Sequence, residues 1–411
     1  MSVVYIFSGM SPAVLFLSWG SPWPAHFGGA LRTLGLLTEL SQAFTVELVV
    51  LAREPLRADQ RGVLAGLSTR LTELPLRDVT LNQRLRAALR GVVTGRPYHC
   101  ALVESSFRAY PDERRRIRAF PGVVYASYGH WGTLVRPGAG HNWILDQQHA
   151  PFDFWRAYRS LDSSPAGKLF AAVNERLARR HFKHVYASMG RVVSVCEEDR
   201  RLVLQLTPGT TVAVIRNGVD CRYFEPHRTP RPRGRRLLFC GTSSPHNMTA
   251  LTRFATRILP LVRATLKDVQ LIVAGDFDTT AQAALAREAG VRFTGAQDDL
   301  RAEYDRCDLF VVPHERTHGS QTKVAVAMAM GMAVVASPEG IRGLPLVDGE
   351  SVLLARDDHA FGAAVTRLLH DGAKRQQLGA AARRVAVECL DWRVVGGQAV
   401  SLVEEVVRDV A

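Results

Sequence analysis

The sequence predicts an α/β protein built from two doubly wound parallel sheets. Three observations carry that expectation. A strand, a Gly-rich loop, a helix and a second strand follow one another near the N-terminus. The same alternation returns in the second half, and a proline- and arginine-rich break separates the two. With 411 residues, 47% hydrophobic and 22% charged, the chain is too apolar for intrinsic disorder and long enough for two domains.

The first unit opens on the apolar run Ala13–Trp19, a strand, with Val3–Phe7 as a candidate edge strand before it. The loop Gly20–Gly29 leads into a helix over Ala30–Gln42, with Leu31, Leu34, Leu37 and Leu40 on one face, and a second strand covers Thr45–Leu51. Segment 53–125 reads less clearly: it holds a helical Arg/Leu pattern at Leu81–Gly91 and the run Arg114-Arg115-Arg116. Pro226–Arg236 has no apolar residue besides its prolines and reads as an extended linker. Beyond it come a strand at Leu237–Cys240, a loop at Gly241–Asn247 and a helix over Met248–Leu266. Leu251, Phe254, Ile258 and Leu261 give that helix its face. Strands at Val269–Ala274, Val291–Thr294, Leu309–Val312 and Ala333–Ala336 complete the series. The expected domains are 1–228 and 229–394, with a last helix at about 395–411 packing back on the first. Parallel sheets bind ligands at the carboxyl ends of their strands, so a cleft between two such domains is the expected site.

Lys and Arg total 52 against 39 Asp and Glu, a net charge of +13, and lysine is scarce. Arginine makes bidentate contacts to phosphate, so nucleic acid, an anionic membrane face or a phosphorylated small molecule could each be the partner; arginine-rich codon usage also produces such a bias. Zinc-finger spacing, an RRM aromatic run and a recognition helix are absent, which argues against nucleic acid. Six cysteines (Cys100, Cys196, Cys221, Cys240, Cys307, Cys389) lie far apart with no C-x-x-C pair, excluding a zinc ribbon and a disulfide framework and suiting reduced thiols. The early apolar run is too short for a membrane span and lacks the flanks of a signal peptide, so a cytoplasmic protein is expected.

Two loops carry candidate chemistry. Gly28 and Gly29 end the first loop against a helix N-terminus, where backbone amides and the helix dipole suit an anion, although a plain turn would look the same. The loop is not G-x-G-x-x-G, so no dinucleotide fingerprint is present. In the second, a strand ends at Pro313 and an Ala/Met-rich helix starts near Gln321. Gly319, Ser320 and Thr322 at that start could hold a phosphate, and Lys323 would add a full charge; an ordinary N-cap with a solvated lysine is the alternative.

These stretches, in order, resemble GT-B glycosyltransferases of family 4, glycosyltransferase group 1. The resemblance runs through Leu238–Gly241 with Pro245-His246-Asn247, Leu271–Gly275, Val291–Gly295 with Asp298-Asp299-Leu300, Cys307–Pro313, Lys323–Ala336 and Ser337–Gly340. Arg216–Asp220 looks like the family's Asn-Gly-Val-Asp element, Gly28-Gly29 with Arg32 like its glycine loop, and Asp146–His149 before Phe154–Arg156 like an acceptor-domain segment. It covers roughly residues 13–52 and 140–400. It implies two Rossmann-like domains facing each other across a cleft. It also implies transfer of a sugar from a UDP-, GDP- or dTDP-linked donor to a glycan, lipid-linked intermediate or natural product, with retention and without an obligatory metal. On that reading His149 and Lys323 are catalytic. Gly28, Gly29, Gly241, His246, Asn247, Glu315, Arg316, His318, Gly319, Ser320, Gln321 and Thr322 bind the donor, and Arg32 and Asp146 lie on the acceptor side, where Asp146 could also just close an Asx turn. The leaving diphosphate needs cations and amides as charge develops on it.

The chain departs from the family at its usual glutamate pair. Those positions hold His318 and Val326, and a Gly-x-x-x-Lys-Val variant branch lacks the first glutamate but keeps the second. Valine cannot hydrogen-bond a ribose. The Arg and Lys expected after the first strand of the second domain are replaced by Ser243–Asn247. Glu315 or Glu339 could take over sugar contacts, and Arg316 or Arg342 the lost charge. These departures support an alternative: an inactive GT-B protein serving as a binding subunit of another transferase. The basic clusters Arg114–Arg118 and Arg176, Arg179, Arg180, Lys183 could touch an anionic membrane surface or be solvated helix faces.

Overall fold

A computed structural model describes residues 12–24, 28–76, 81–136, 138–161, 164–226, 235–285, 287–297, 299–317 and 320–410. The Val3–Phe7 segment, most of the linker, His318 and Gly319 lie outside the described residues. The chain divides into two compact units: residues up to 155, 170–215 and 396 onward, and residues 156–169 with 216–395.

The first unit holds seven parallel strands: β1 (Ala13–Trp19), β2 (Thr45–Ala52), β3 (Arg70–Pro75), β4 (Val123–Ser127), β5 (Gly140–Gln147), β6 (Met189–Ser194) and β7 (Val212–Val214). Their order is β3-β2-β1-β4-β5-β6-β7. The second holds β8 (Arg236–Cys240), β9 (Gln270–Ala274), β10 (Val291–Gly295), β11 (Leu309–Val312), β12 (Ala333–Ala336) and β13 (Leu353–Leu354), ordered β10-β9-β8-β11-β12-β13. Strand order reverses at β1/β4 and at β8/β11, and these switch points open the crevices where such sheets bind ligands.

Both faces of the second sheet are buried, which is why its strands read as continuous apolar runs. Leu237, Phe239, Leu271, Val273, Leu309 and Val311 fill one face. Their neighbours Leu238, Cys240, Ile272, Ala274, Phe310 and Val312 fill the other. The expected helix over Met248–Leu266 is interrupted: α-helix at Pro245–Arg253, a π turn at Phe254–Ile258, then α-helix at Leu259–Thr265. Pro260 has no N–H to give and its ring crowds the preceding turn, so the backbone widens just before it.

The Asn217–Asp220 element has a structural reason. Val219 N donates to Leu390 O at 2.8 Å, Trp392 N donates to Val219 O at 3.3 Å, and the Asp220 carboxylate accepts from the backbone N–H groups of Arg222 and Tyr223. A Cβ on Gly218 would fall 2.5 Å from the Trp392 ring. Past β7 the chain is thereby fixed to the second unit.

Candidate functional site

At the β8/β11 switch point, three side chains from distant stretches meet. β8 runs out at Cys240, and Asn247 sits one turn into the helix that follows; its amide occupies the space a Gly241 side chain would need. β11 runs out at Val312, and two residues later His314 turns inward, 1% exposed, its ring stacked on Phe239 at 5.8 Å. Lys323 comes from the first turn of the Thr322–Ala329 helix. Its Nζ donates to Asn247 Oδ1 at 2.6 Å, lies 3.2 Å from His314 Nε2 and stands 5.1 Å from the Phe239 ring centroid. The Tyr304 hydroxyl donates to the Lys323 carbonyl at 3.3 Å.

The electrostatics follow from this packing. Among the described residues no carboxylate pairs with Lys323. Burial pushes its pKa down to about 7, with Cys240 opposing. Burial, then Lys323 and His246, hold His314 well below the usual imidazole range. His314 Nε2 also lies 3.2 Å from Asn247 Oδ1, so it donates there in one tautomer and accepts from Lys323 in the other; its Nδ1 is buried without a partner. Ser320 Oγ, beside the helix start, is also buried and unpartnered. An amine held by the Asn247 amide oxygen beside a neutral imidazole, with buried unpartnered polar atoms near a helix N-terminus, has the chemistry to receive an anion.

Around this trio, Gln321 is buried, Thr322 and His246 are half-buried, and Glu315, Arg316 and Glu339 are exposed. Glu315 lies 3.3 Å from Arg253. Arg253 was not singled out by sequence. It is buried, donates to Pro313 O at 2.9 Å and Ser337 Oγ at 3.3 Å, and pairs with Asp358 at 2.7 Å, tying together the loops after β11 and β12. Its charge is already matched. Val326 packs partly buried against the apolar face.

In the first unit, Gly28 and Gly29 open the Gly28–Ala43 helix at the β1/β4 switch point. A Cβ on Gly29 would collide with the Tyr128 hydroxyl and fall 2.6 Å from Gln148 Oε1. Tyr128 is held at φ 87°, an uncommon conformation for a side-chain-bearing residue. His149 is half-buried, its ring 5.1 Å from Phe154. Nearby, His130 packs on Trp19 at 4.4 Å and Tyr128 at 5.4 Å, and His99 stacks on Trp155 at 5.4 Å. Burial pushes His99 down to about 4 and His130 well below its usual range.

Arg32 and Asp146, the residues expected on the acceptor side, have side chains that are 0% exposed and clasp each other, Nε to Oδ2 at 3.0 Å and Nη2 to Oδ1 at 2.8 Å. The Tyr125 hydroxyl also donates to Asp146 Oδ2 at 3.3 Å. Asp146 closes an ion pair rather than an Asx turn, because a buried guanidinium demands a buried carboxylate. The Arg114–Arg116 cluster is also matched locally: Arg114 faces Glu104, Arg115 pairs with Asp112, and Arg116 with Glu113 and Glu47. No helix among the described residues is long and apolar enough to cross a membrane.

Residues 234–371 match the family of glycosyl transferases group 1. That match lies wholly within the second unit. A phosphatidyl-myo-inositol mannosyltransferase of Mycolicibacterium smegmatis is 33% identical over 228 residues, 53% of this chain and 58% of the relative. The chain thus spans little more than half the length of that relative. Among solved structures, sucrose-phosphate synthase from Thermosynechococcus elongatus has a TM-score of 0.70 at 17% identity over 96% of this chain and 98% of its own. HepE of Anabaena, in complex with UDP and glucose, has a TM-score of 0.64 at 14% identity over 96% and 99%. The fold is GT-B. Lys323, His314 and Asn247 all lie within the matched residues.

Proposed function

We propose that the protein transfers a sugar from a nucleoside diphosphate sugar to an acceptor hydroxyl, and that Lys323 meets the donor diphosphate. The observation that carries this reading is the Lys323 ammonium itself, held by Asn247 Oδ1 beside His314 Nε2 at a helix N-terminus, with no carboxylate among the described residues to neutralise it. As the sugar–phosphate bond breaks, negative charge grows on the departing phosphate, and a preoriented cation with helix amides stabilises it there. Gln321, Thr322, Ser320 and His246 complete the donor side of this reading, and His318 and Gly319 belong to the same loop. In the first unit, Gly28, Gly29 and His149 are assigned to substrate contacts, with Arg32 and Asp146 holding their frame from beneath. The donor is UDP-, GDP- or dTDP-linked, the reaction is retaining, and no metal takes part. The matched family and the UDP-bound neighbour support the donor class. The name of the mycobacterial relative makes an inositol phospholipid the first acceptor to try. Arg176, Arg179, Arg180 and Lys183 are the cationic residues we assign to contact with such a lipid surface.

The test is a donor panel followed by nucleotide release with and without acceptor. Release from one donor that depends on acceptor and falls at least tenfold in Lys323→Met supports the reading. Release unchanged in that variant overturns the role of Lys323. A second reading, an inactive binding subunit, is favoured by Val326, which packs apolar where a ribose-binding glutamate is expected. No release from any donor, together with no thermal shift by any nucleotide, selects it.

A further inference from the structure

The sheet face beneath the Arg301–Arg306 helix carries charge where its neighbours are apolar. Alternation along the strands sends Arg236, Leu238 and Cys240 of β8 to one side. That side is core at Leu238, Cys240 and Ile272, closed by Tyr304 and Cys307. In register with Ile272 stands Arg292 of β10, and Thr294 follows it two residues on. Arg236, Arg292 and Arg306 border a cavity of about 180 Å³, together with Thr294 and Glu303.

The charges there do not balance. Glu303 lies 3.7 Å from Arg306 and accepts from Gln297 Nε2 at 3.4 Å. Among the described residues the Arg236 and Arg292 guanidiniums have no hydrogen-bonding or ionic partner; Arg236 bonds only through its backbone. Thr294 Oγ1 is buried and unpartnered. Three guanidiniums thus share one carboxylate around a small hollow with an idle hydroxyl. An edge strand such as β10 can carry an inward charge simply to block further pairing. That purpose does not account for Arg236, which stands on an interior strand.

We propose that this cavity binds a phosphoryl group, either free phosphate or the terminal phosphate of a small metabolite. The excess positive charge suits a dianion, guanidinium forks suit its tetrahedral oxygens, and the Thr294 hydroxyl supplies one further donor. The hollow is large enough for a phosphoryl group. Arg236 begins β8, at the end opposite the Lys323 seat, so this site is separate from the donor site and does not depend on the transferase reading.

Calorimetric titration of the full chain in phosphate-free, low-salt buffer tests it, with inorganic phosphate and glycerol 3-phosphate as separate probes. Saturable one-to-one binding is expected, weakened at least tenfold in Arg292→Gln and Arg236→Gln, reduced in Thr294→Val and retained in Lys323→Met. Binding of both probes identifies free phosphate as sufficient; binding of the ester alone identifies a terminal phosphoryl group. No binding of either probe, or binding lost in Lys323→Met and kept in Arg292→Gln, overturns the proposal. Arg292 is exposed, so its variant stays informative even if Arg236→Gln fails to fold.

Discussion

At Lys323 two neutral acceptors stand where a carboxylate often would, and burial brings the amine to about 7. A diphosphate favours the charged amine, which exists below that value. Nucleotide affinity should therefore fall as pH rises through about 7, and binding above it should take up a proton. Calorimetry in buffers of different ionisation enthalpy reads that uptake, and Lys323→Met should abolish it and weaken binding about 30- to 160-fold, the loss expected for about 2–3 kcal/mol of charge-assisted bonding. His314 acts through Lys323. His314→Phe keeps the stack on Phe239 but removes an acceptor from the ammonium, so it should shift the pH midpoint of nucleotide binding downward, while His314→Gln should hold it nearer the original. An unmoved midpoint in His314→Phe would count against that positioning. In the first unit, Asp146→Asn leaves Arg32 buried with its charge unmatched and should cost about 3–5 kcal/mol of stability in urea unfolding. Pairing it with Arg32→Met should recover much of that loss.

Elements were legible where burial is two-sided. The strands Ala13–Trp19, Leu309–Val312 and Ala333–Ala336 coincide with β1, β11 and β12, because a parallel strand covered on both faces is written as an unbroken apolar run. In β5 the apolar run is broken by Asn142, Asp146 and Gln147, polar residues that find buried partners only in three dimensions, whereas β4 is buried at every position and is hidden by its shortness within a poorly patterned segment. Lys323 was legible because its loop and helix are contiguous. His314 was not, because its meaning depends on Asn247, 67 residues away; the Arg32–Asp146 ion pair, spanning 114, is hidden for the same reason. The glycine loop was read as an anion seat, and the structure adds that Gly29 has no room for a side chain. Gly29→Ala should displace Tyr128 and lower stability by about 1–3 kcal/mol, measured by denaturant midpoint, whereas Gly20→Ala meets open space and is strained only by its φ of 76°.

For the whole molecule, the net charge of +13 is less free than it looks, since Arg32, Arg253 and the Arg114–Arg116 run are matched by carboxylates within their own units. Among the cations without a carboxylate partner, two groups lie at opposite ends of the second sheet: Lys323 at the end of β8 and β11, and Arg236 with Arg292 at the other end. The cysteines obey the same geometry. Five of six are buried and Cys389 is half-buried, so a thiol reagent should modify at most Cys389 in the native protein and all six in denaturant. Two or more fast-reacting native thiols would contradict the packing of Cys240 and Cys307 in the core. Lys323, finally, is one of only five lysines, and an amine that is partly uncharged at neutral pH is a nucleophile. An aldehyde carrying a phosphate, such as pyridoxal phosphate, should form its imine there ahead of the other four. Borohydride would then make that label permanent, and a bound nucleotide would shield it, turning one buried ammonium into a chemical address for the donor site.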